Sequence, residues 1–120
     1  MTPKEKINKL DGLIRRIVNK DNKMEGQYTM PYSHSDDDYA DWKVEFEVNT
    51  VKLWETEKYN RCKYSGSVYL DADVMVGFEG DWEEYGIEDL PSWVKEDIEN
   101  KILDNIEQFL PMVCVDLTFN

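Results

Sequence analysis

Histidine occurs once in the 120 residues, as His34, and cysteine twice, as Cys62 and Cys114. A lone histidine beside Ser33 and Asp36 identifies no catalytic triad, because neither a serine motif nor an orienting acid can be assigned to it. The two cysteines lack metal-ligand spacing and have no near neighbour of their own kind. Cys62, between Arg61 and Lys63, reads as an ordinary free thiol, and Cys114 alternates with the apolar set of its strand, which leaves both faces open to it. Basic residues are also scarce, with 14 Lys and Arg against 26 Asp and Glu, for a net charge of −12. Phosphate recognition runs on lysine and arginine, so direct binding to nucleic acid or to an anionic membrane is disfavoured. No apolar run approaches the length of a membrane span, and Met1 to Lys20 does not resemble a signal peptide. A reduced, cytoplasmic protein is the expectation.

Aromatic residues are present in numbers that a solvated coil does not carry, with 4 Trp, 7 Tyr and 4 Phe. At this length the chain reads as a single domain, 1–120, able to bury a core. Its charge is uneven. Residues 1–23 hold seven Lys and Arg against three Asp and Glu, a local +4, which leaves −16 on the remainder.

The stretch Ser65–Glu79 organises the rest. Val68, Leu70, Ala72, Val74, Val76 and Phe78 share one parity, and Tyr69, Asp71, Asp73, Met75 and Glu79 the other. Alternation of this kind makes a strand with an apolar face and an acidic face. Trp42, Val44, Phe46 and Val48 alternate with Lys43, Glu45 and Glu47 in the same way. The parity slips at Asn49-Thr50, after which Val51 and Leu53 continue on odd positions. A bulge there would keep one bent strand and a tight turn would split it; the bulge is adopted. Lys58–Ser65 is turn-like, closing a hairpin between the two strands.

Thr2-Pro3-Lys4-Glu5 is a helix start, with a capping hydroxyl and proline at the first position. Ile7, Leu10, Ile14, Ile17 and Val18 then form a stripe at helical spacing through about Asn19. A second stripe, Val94, Ile98, Ile102, Ile106 and Phe109, lies between Pro91 and Pro111. A short strand is expected at Gln27–Met30 and a last one from Val113. Gly80 to Gly86, with Asp81, Trp82, Glu83, Glu84 and Tyr85, reads as an acidic loop carrying two aromatic anchors. The fold expected is α+β, a mostly antiparallel sheet of three to five strands with two amphipathic helices on one face, in the order α-β-β-β-α-β. That order resembles the double-stranded-RNA-binding domain. The basic second helix which that function needs is replaced here by one carrying Glu96, Asp97, Glu99, Asp104 and Glu107.

Two acidic groupings invite a metal. Asp71 and Asp73 sit on one strand face about 6.8 Å apart, a spacing that with Glu45 or Glu47 suits a divalent cation. Gly66-Ser67 ahead of them resembles the nucleotidyltransferase signature, but three residues stand where that family has a helix, and no lysine or arginine is placed for a triphosphate. Asp36-Asp37-Asp38 lacks calcium-loop spacing and reads as a solvated loop. No catalytic residue, metal or cofactor is therefore assigned.

A distribution remains: Glu45, Glu47, Asp71 and Asp73 on the uncovered sheet face, with Asp81, Trp82, Glu83, Glu84 and Tyr85 at its rim. Such carboxylates can occupy a basic groove on another protein in place of a nucleic acid. The plainer account of the same residues is a solvated surface that keeps the chain dispersed. In size, acidity and want of catalytic motifs the chain resembles small phage-encoded anti-defence inhibitors, anti-CRISPR and anti-restriction DNA mimics among them. The resemblance implies a non-enzymatic inhibitor of a basic, nucleic-acid-binding protein. Alternatives are an immunity protein against a toxin nuclease, a divalent-metal enzyme using Asp71 and Asp73, and a phage structural subunit.

Overall fold

The computed structural model describes residues 2–29, 39–56, 62–78 and 80–119. Helix α1 runs Pro3–Lys20, strand β1 Lys23–Thr29, β2 Tyr39–Glu55, β3 Tyr64–Phe78, β4 Asp81–Tyr85, helix α2 Ser92–Phe109 and β5 Val113–Phe119. A single 3-10 turn, Ile87–Asp89, leads into α2. The expected α+β class holds, and the order gains one strand.

That strand is β4, and it corrects the reading of 80–86 as a loop. Gly80 has φ of +89°, the left-handed backbone that lets β3 turn back on itself within two residues. Asp81–Tyr85 then pairs antiparallel with β3, from Phe78↔Asp81 to Val74↔Tyr85. β1 likewise begins earlier than Gln27, since Lys23 already pairs with Glu45. Charged and small residues at alternate positions of both strands concealed them from a search for apolar periodicity.

β2 and β3 pair antiparallel over nearly their whole length, from Asp41↔Gly77 to Glu55↔Tyr64. The register shifts between Val48 and Thr50, so the bulge is real and Asn49 is the extra residue. It keeps Val48 and Val51 on the same side. β1 flanks only the first half of β2. On the far side of β3, β4 takes Val74–Phe78 and β5 runs parallel along Tyr64–Leu70. The sheet is thus wide at both ends and narrow at a waist around Phe46–Val48 and Asp71–Asp73. The molecule measures 59 × 23 × 21 Å. Its radius of gyration of 17.2 Å exceeds the roughly 14 Å of a compact chain this long.

Both helices cover one face. Thr2 accepts a hydrogen bond from the Glu5 amide (3.2 Å) and starts α1, whose Ile14 and Val18 are buried against β2. α2 buries Val94, Ile98, Ile102 and Ile106, and Pro91 stands at its N-cap. The helices run antiparallel, with Asp21 of the α1 terminus bridging to Lys101 (3.1 Å) and Ile17 sharing a groove with Phe109. Phe46, Val68, Leu70 and Val74 supply the sheet side of this core. Each fully buried side chain of this size contributes roughly 1.5–3 kcal/mol. Trp42 lies flat over Gly26, where a Cβ would meet its ring at 2.7 Å.

The free-thiol reading is also corrected. Cys62, just ahead of β3, is bonded to Cys114 of β5, with Cα atoms 5.6 Å apart, a usual disulfide separation. The bond joins residues 52 apart in sequence. Parallel pairing of β5 beside β3 brings them together, setting Ser65 against Cys114. Spacing along the chain could not show this.

Candidate interaction surface

The face away from the helices can be written out from the registers. Running along the sheet, successive rows are Gln27–Asp41–Gly77–Trp82, then Glu25–Lys43–Met75–Glu84, then Lys23–Glu45–Asp73, then Glu47–Asp71. Beyond the bulge follow Thr50–Tyr69–Thr118, Lys52–Ser67–Asp116 and Trp54–Ser65–Cys114. Glu45, Glu47, Asp71 and Asp73 are all exposed and adjoin one another at the waist. They occupy a rectangle of about 6.8 by 4.8 Å, two residues of rise by one strand spacing.

Within that rectangle Glu45 stands directly opposite Asp73, and Glu47 directly opposite Asp71. Like charges in such positions destabilise a sheet. Among the described residues the ion pairs are Asp11–Arg15, Lys95–Glu99 and Asp21–Lys101, none involving the four. The two β2 lysines on this face are turned to aromatic rings instead. Lys43 Nζ lies 3.9 Å from the Trp82 ring centroid, and Lys52 Nζ lies 5.3 Å from that of Tyr69. Lys23 of β1 stands opposite Glu45 without closing an ion pair among the described residues, so the carboxylates face mainly solvent and each other. Screening should relieve this: moderate salt is expected to raise the melting temperature by a few degrees, checked by thermal melts at rising ionic strength.

The rim residues divide. Trp82 joins the outer face, its ring lying across Gly77 where a Cβ would come within 2.8 Å, and it is 41% exposed. Glu84 lies on the same side, opposite Met75. Tyr85 does not: it has the inward parity and packs against the core. Tyr28, buried on the same inner side, has its phenol pushed up from its ordinary pKa by burial first and by Tyr85 second. Asp81 and Glu83 share Tyr85's parity but sit exposed on the β4 edge. His34 and Asp36–Asp38 lie outside the described residues.

A shallow depression beside the four acids is bounded by Asn19 and Asn22 from the end of α1. The Asn22 side chain donates to the Phe46 carbonyl (3.0 Å), so the amide is tied to the β2 edge. Among the described residues no three His, Cys, Asp or Glu side chains are grouped to hold a metal ion. Sequence reading found the four acids but missed the lysine–aromatic pairs beside them. The alternation placed Lys43 on the right face; only the β4 pairing puts Trp82 under it.

Comparison with family models, with curated proteins and with solved structures gave no match. The function must therefore be argued from this surface. No helix of the described residues is long and apolar enough to cross a membrane.

Proposed function

We propose that the protein is a small, non-enzymatic inhibitor that binds a basic, nucleic-acid-binding protein through the acidic face of its sheet. One observation carries the reading: four carboxylates stand in two directly opposed pairs, with Lys23 opposite Glu45 as their adjoining cation, while Lys43 and Lys52 of β2 turn to aromatic rings. A fold gains nothing from such opposition, whereas a cationic partner would relieve it. Trp82, two rows from Asp73 on the same face, offers an aromatic anchor of the kind interfaces favour. An anti-defence role of the anti-CRISPR or anti-restriction type belongs to this reading, and an immunity protein against a toxin nuclease would need the same surface.

The charge is compact rather than drawn out along the 59 Å length. Lys23 shares the row of Glu45 and Asp73, Lys43 lies in the next row, and Lys52 lies two rows past Glu47 and Asp71. The counterpart is therefore a local cluster of lysine and arginine rather than the full length of a duplex-binding groove.

A cytoplasmic location is retained as a proposal, and the Cys62–Cys114 bond bears on it. Reducing compartments keep most thiols apart, so the bond would have to resist the glutathione pool.

Affinity capture at low and high salt tests the function. A basic nucleic-acid-binding protein held at low salt, released at high salt and displaced by competing DNA is the expected result. A captured partner that is indifferent to salt and to DNA would end the proposal.

A further inference from the structure

β1 leaves the side of β2 at Lys23↔Glu45, and Asn22 occupies the next position by exchanging backbone and side-chain hydrogen bonds with Phe46. Beyond the bulge no strand among the described residues flanks β2 on that side. Which backbone groups face outward follows from β3. The Tyr64 amide donates to the Met112 carbonyl (3.2 Å) on the β5 side, and the Thr56 amide donates to the Lys63 carbonyl (3.0 Å) on the β2 side. By alternation, Thr50, Lys52 and Trp54 hydrogen-bond to β3, and Val51, Leu53 and Glu55 turn their N–H and C=O groups to the open edge. Val51 and Leu53 are also only half-buried on the inner face.

Thr50 to Thr56 carries one lysine, Lys52, and one acid, Glu55, so it is neutral within a chain of net charge −12. It is otherwise β-branched, aliphatic and aromatic, a composition that favours strand pairing. Proteins often guard open edges with a lysine or a bulge. Here the bulge lies at Asn49, outside this segment, which leaves Lys52 and Glu55 as its charged guards, of opposite sign.

We propose that this edge pairs with the same edge of a second copy, antiparallel about a two-fold axis at Leu53. That register sets Leu53 against Leu53 of the second copy, Val51 against Glu55 and Lys52 against Trp54. All three outward-facing residues then lie in hydrogen-bonded pairs, for about six backbone bonds in total. Each Lys52 meets an indole across the junction, the arrangement that Lys43 and Trp82 already adopt within one copy. A register two residues shorter would bring Lys52 against Lys52, which like-charge repulsion disfavours. The axis stands perpendicular to the sheet, so both acidic quartets face the same way, roughly 40 Å apart at about 3.3 Å of rise per residue. Two copies thus present a bivalent surface, although the pairing itself does not depend on what the acids bind.

Sedimentation of the full chain over a range of concentrations tests the pairing. A reversible dimer is expected, and Leu53→Lys should shift it to monomer with an unchanged circular dichroism spectrum. Leu53→Cys provides a second readout. A hydrogen-bonded antiparallel pair holds its Cα atoms about 5.5 Å apart, within disulfide range, so mild oxidation should yield a covalent dimer. Thr29→Cys, on the β1 edge, should stay uncrosslinked. A wild-type chain that is monomeric at every concentration overturns the proposal, even if it captures a foreign strand. So does a dimer that survives Leu53→Lys, or assembly that continues past two copies. Should Leu53→Lys fail to fold, absence of the Leu53→Cys crosslink overturns it alone.

Discussion

Reduction of the Cys62–Cys114 bond is expected to lower the melting temperature by about 15 °C. The bond closes a loop across a sequence separation of 52 and so removes conformations from the unfolded chain. In the chain-entropy account, closing a loop of that length stabilises the folded state by about 4 kcal/mol. A chain of this size loses about 4 °C for each kcal/mol. The loss should start locally, because β5 is a seven-residue edge strand held by one parallel ladder and its inward residues Val113, Val115, Leu117 and Phe119. Amide exchange along Val113–Phe119 should therefore rise more than along the centre of β3. Thermal melts with and without reductant check the first point. The Cys62→Ser, Cys114→Ser double variant should match the reduced protein and ignore reductant. Two thiols titrating freely in the untreated protein, or identical melts in both conditions, would refute the bond as a stabilising element.

Much of the architecture was legible because burial imposes a period on the sequence. Both helices and both long strands announce themselves through stripes that the core then uses, Ile14 and Val18 in α1 and Val68, Leu70, Val74 and Val76 in β3. The bulge was legible for the same reason, since Val48 and Val51 can share a face only if one residue is set aside. β4 was not, because its outer side chains are Trp82 and Glu84 and its inward ones include Asp81 and Glu83. An edge strand pairs through its backbone, and backbone pairing leaves no apolar signature. The disulfide and the Lys43–Trp82 contact share a different difficulty. Each joins residues whose proximity is set by which strand lies beside which, a property of topology rather than of local sequence. The four acids fell between these cases: alternation put them on one face, and the β2–β3 register put them opposite one another.

That opposition makes stability and binding respond in contrary directions to a single pair of substitutions. Asp71→Lys with Asp73→Lys converts two repelling pairs into two attractive ones, each new lysine facing Glu47 or Glu45, and leaves Glu45 opposite Lys23 of β1. Cross-strand pairs of this kind contribute roughly 0.2–1 kcal/mol each, so the variant should melt a few degrees higher than the native protein. The local panel becomes neutral while the chain as a whole moves only from −12 to −8. Affinity for a cationic partner should fall at least about 100-fold, since close like charges across an interface cost several kcal/mol. Reversing all four acids to lysine gives the complement. It restores like-charge opposition at every pair and adds another against Lys23, so stability falls somewhat below the native value, while binding is abolished. A partner that binds the four-fold variant unchanged would show that the acids are solvent-facing ornament and that contact is made elsewhere. Loss of binding in the more stable double variant cannot be attributed to unfolding, which is why the two measurements, melting temperature and titration against the captured partner, belong together on that one protein.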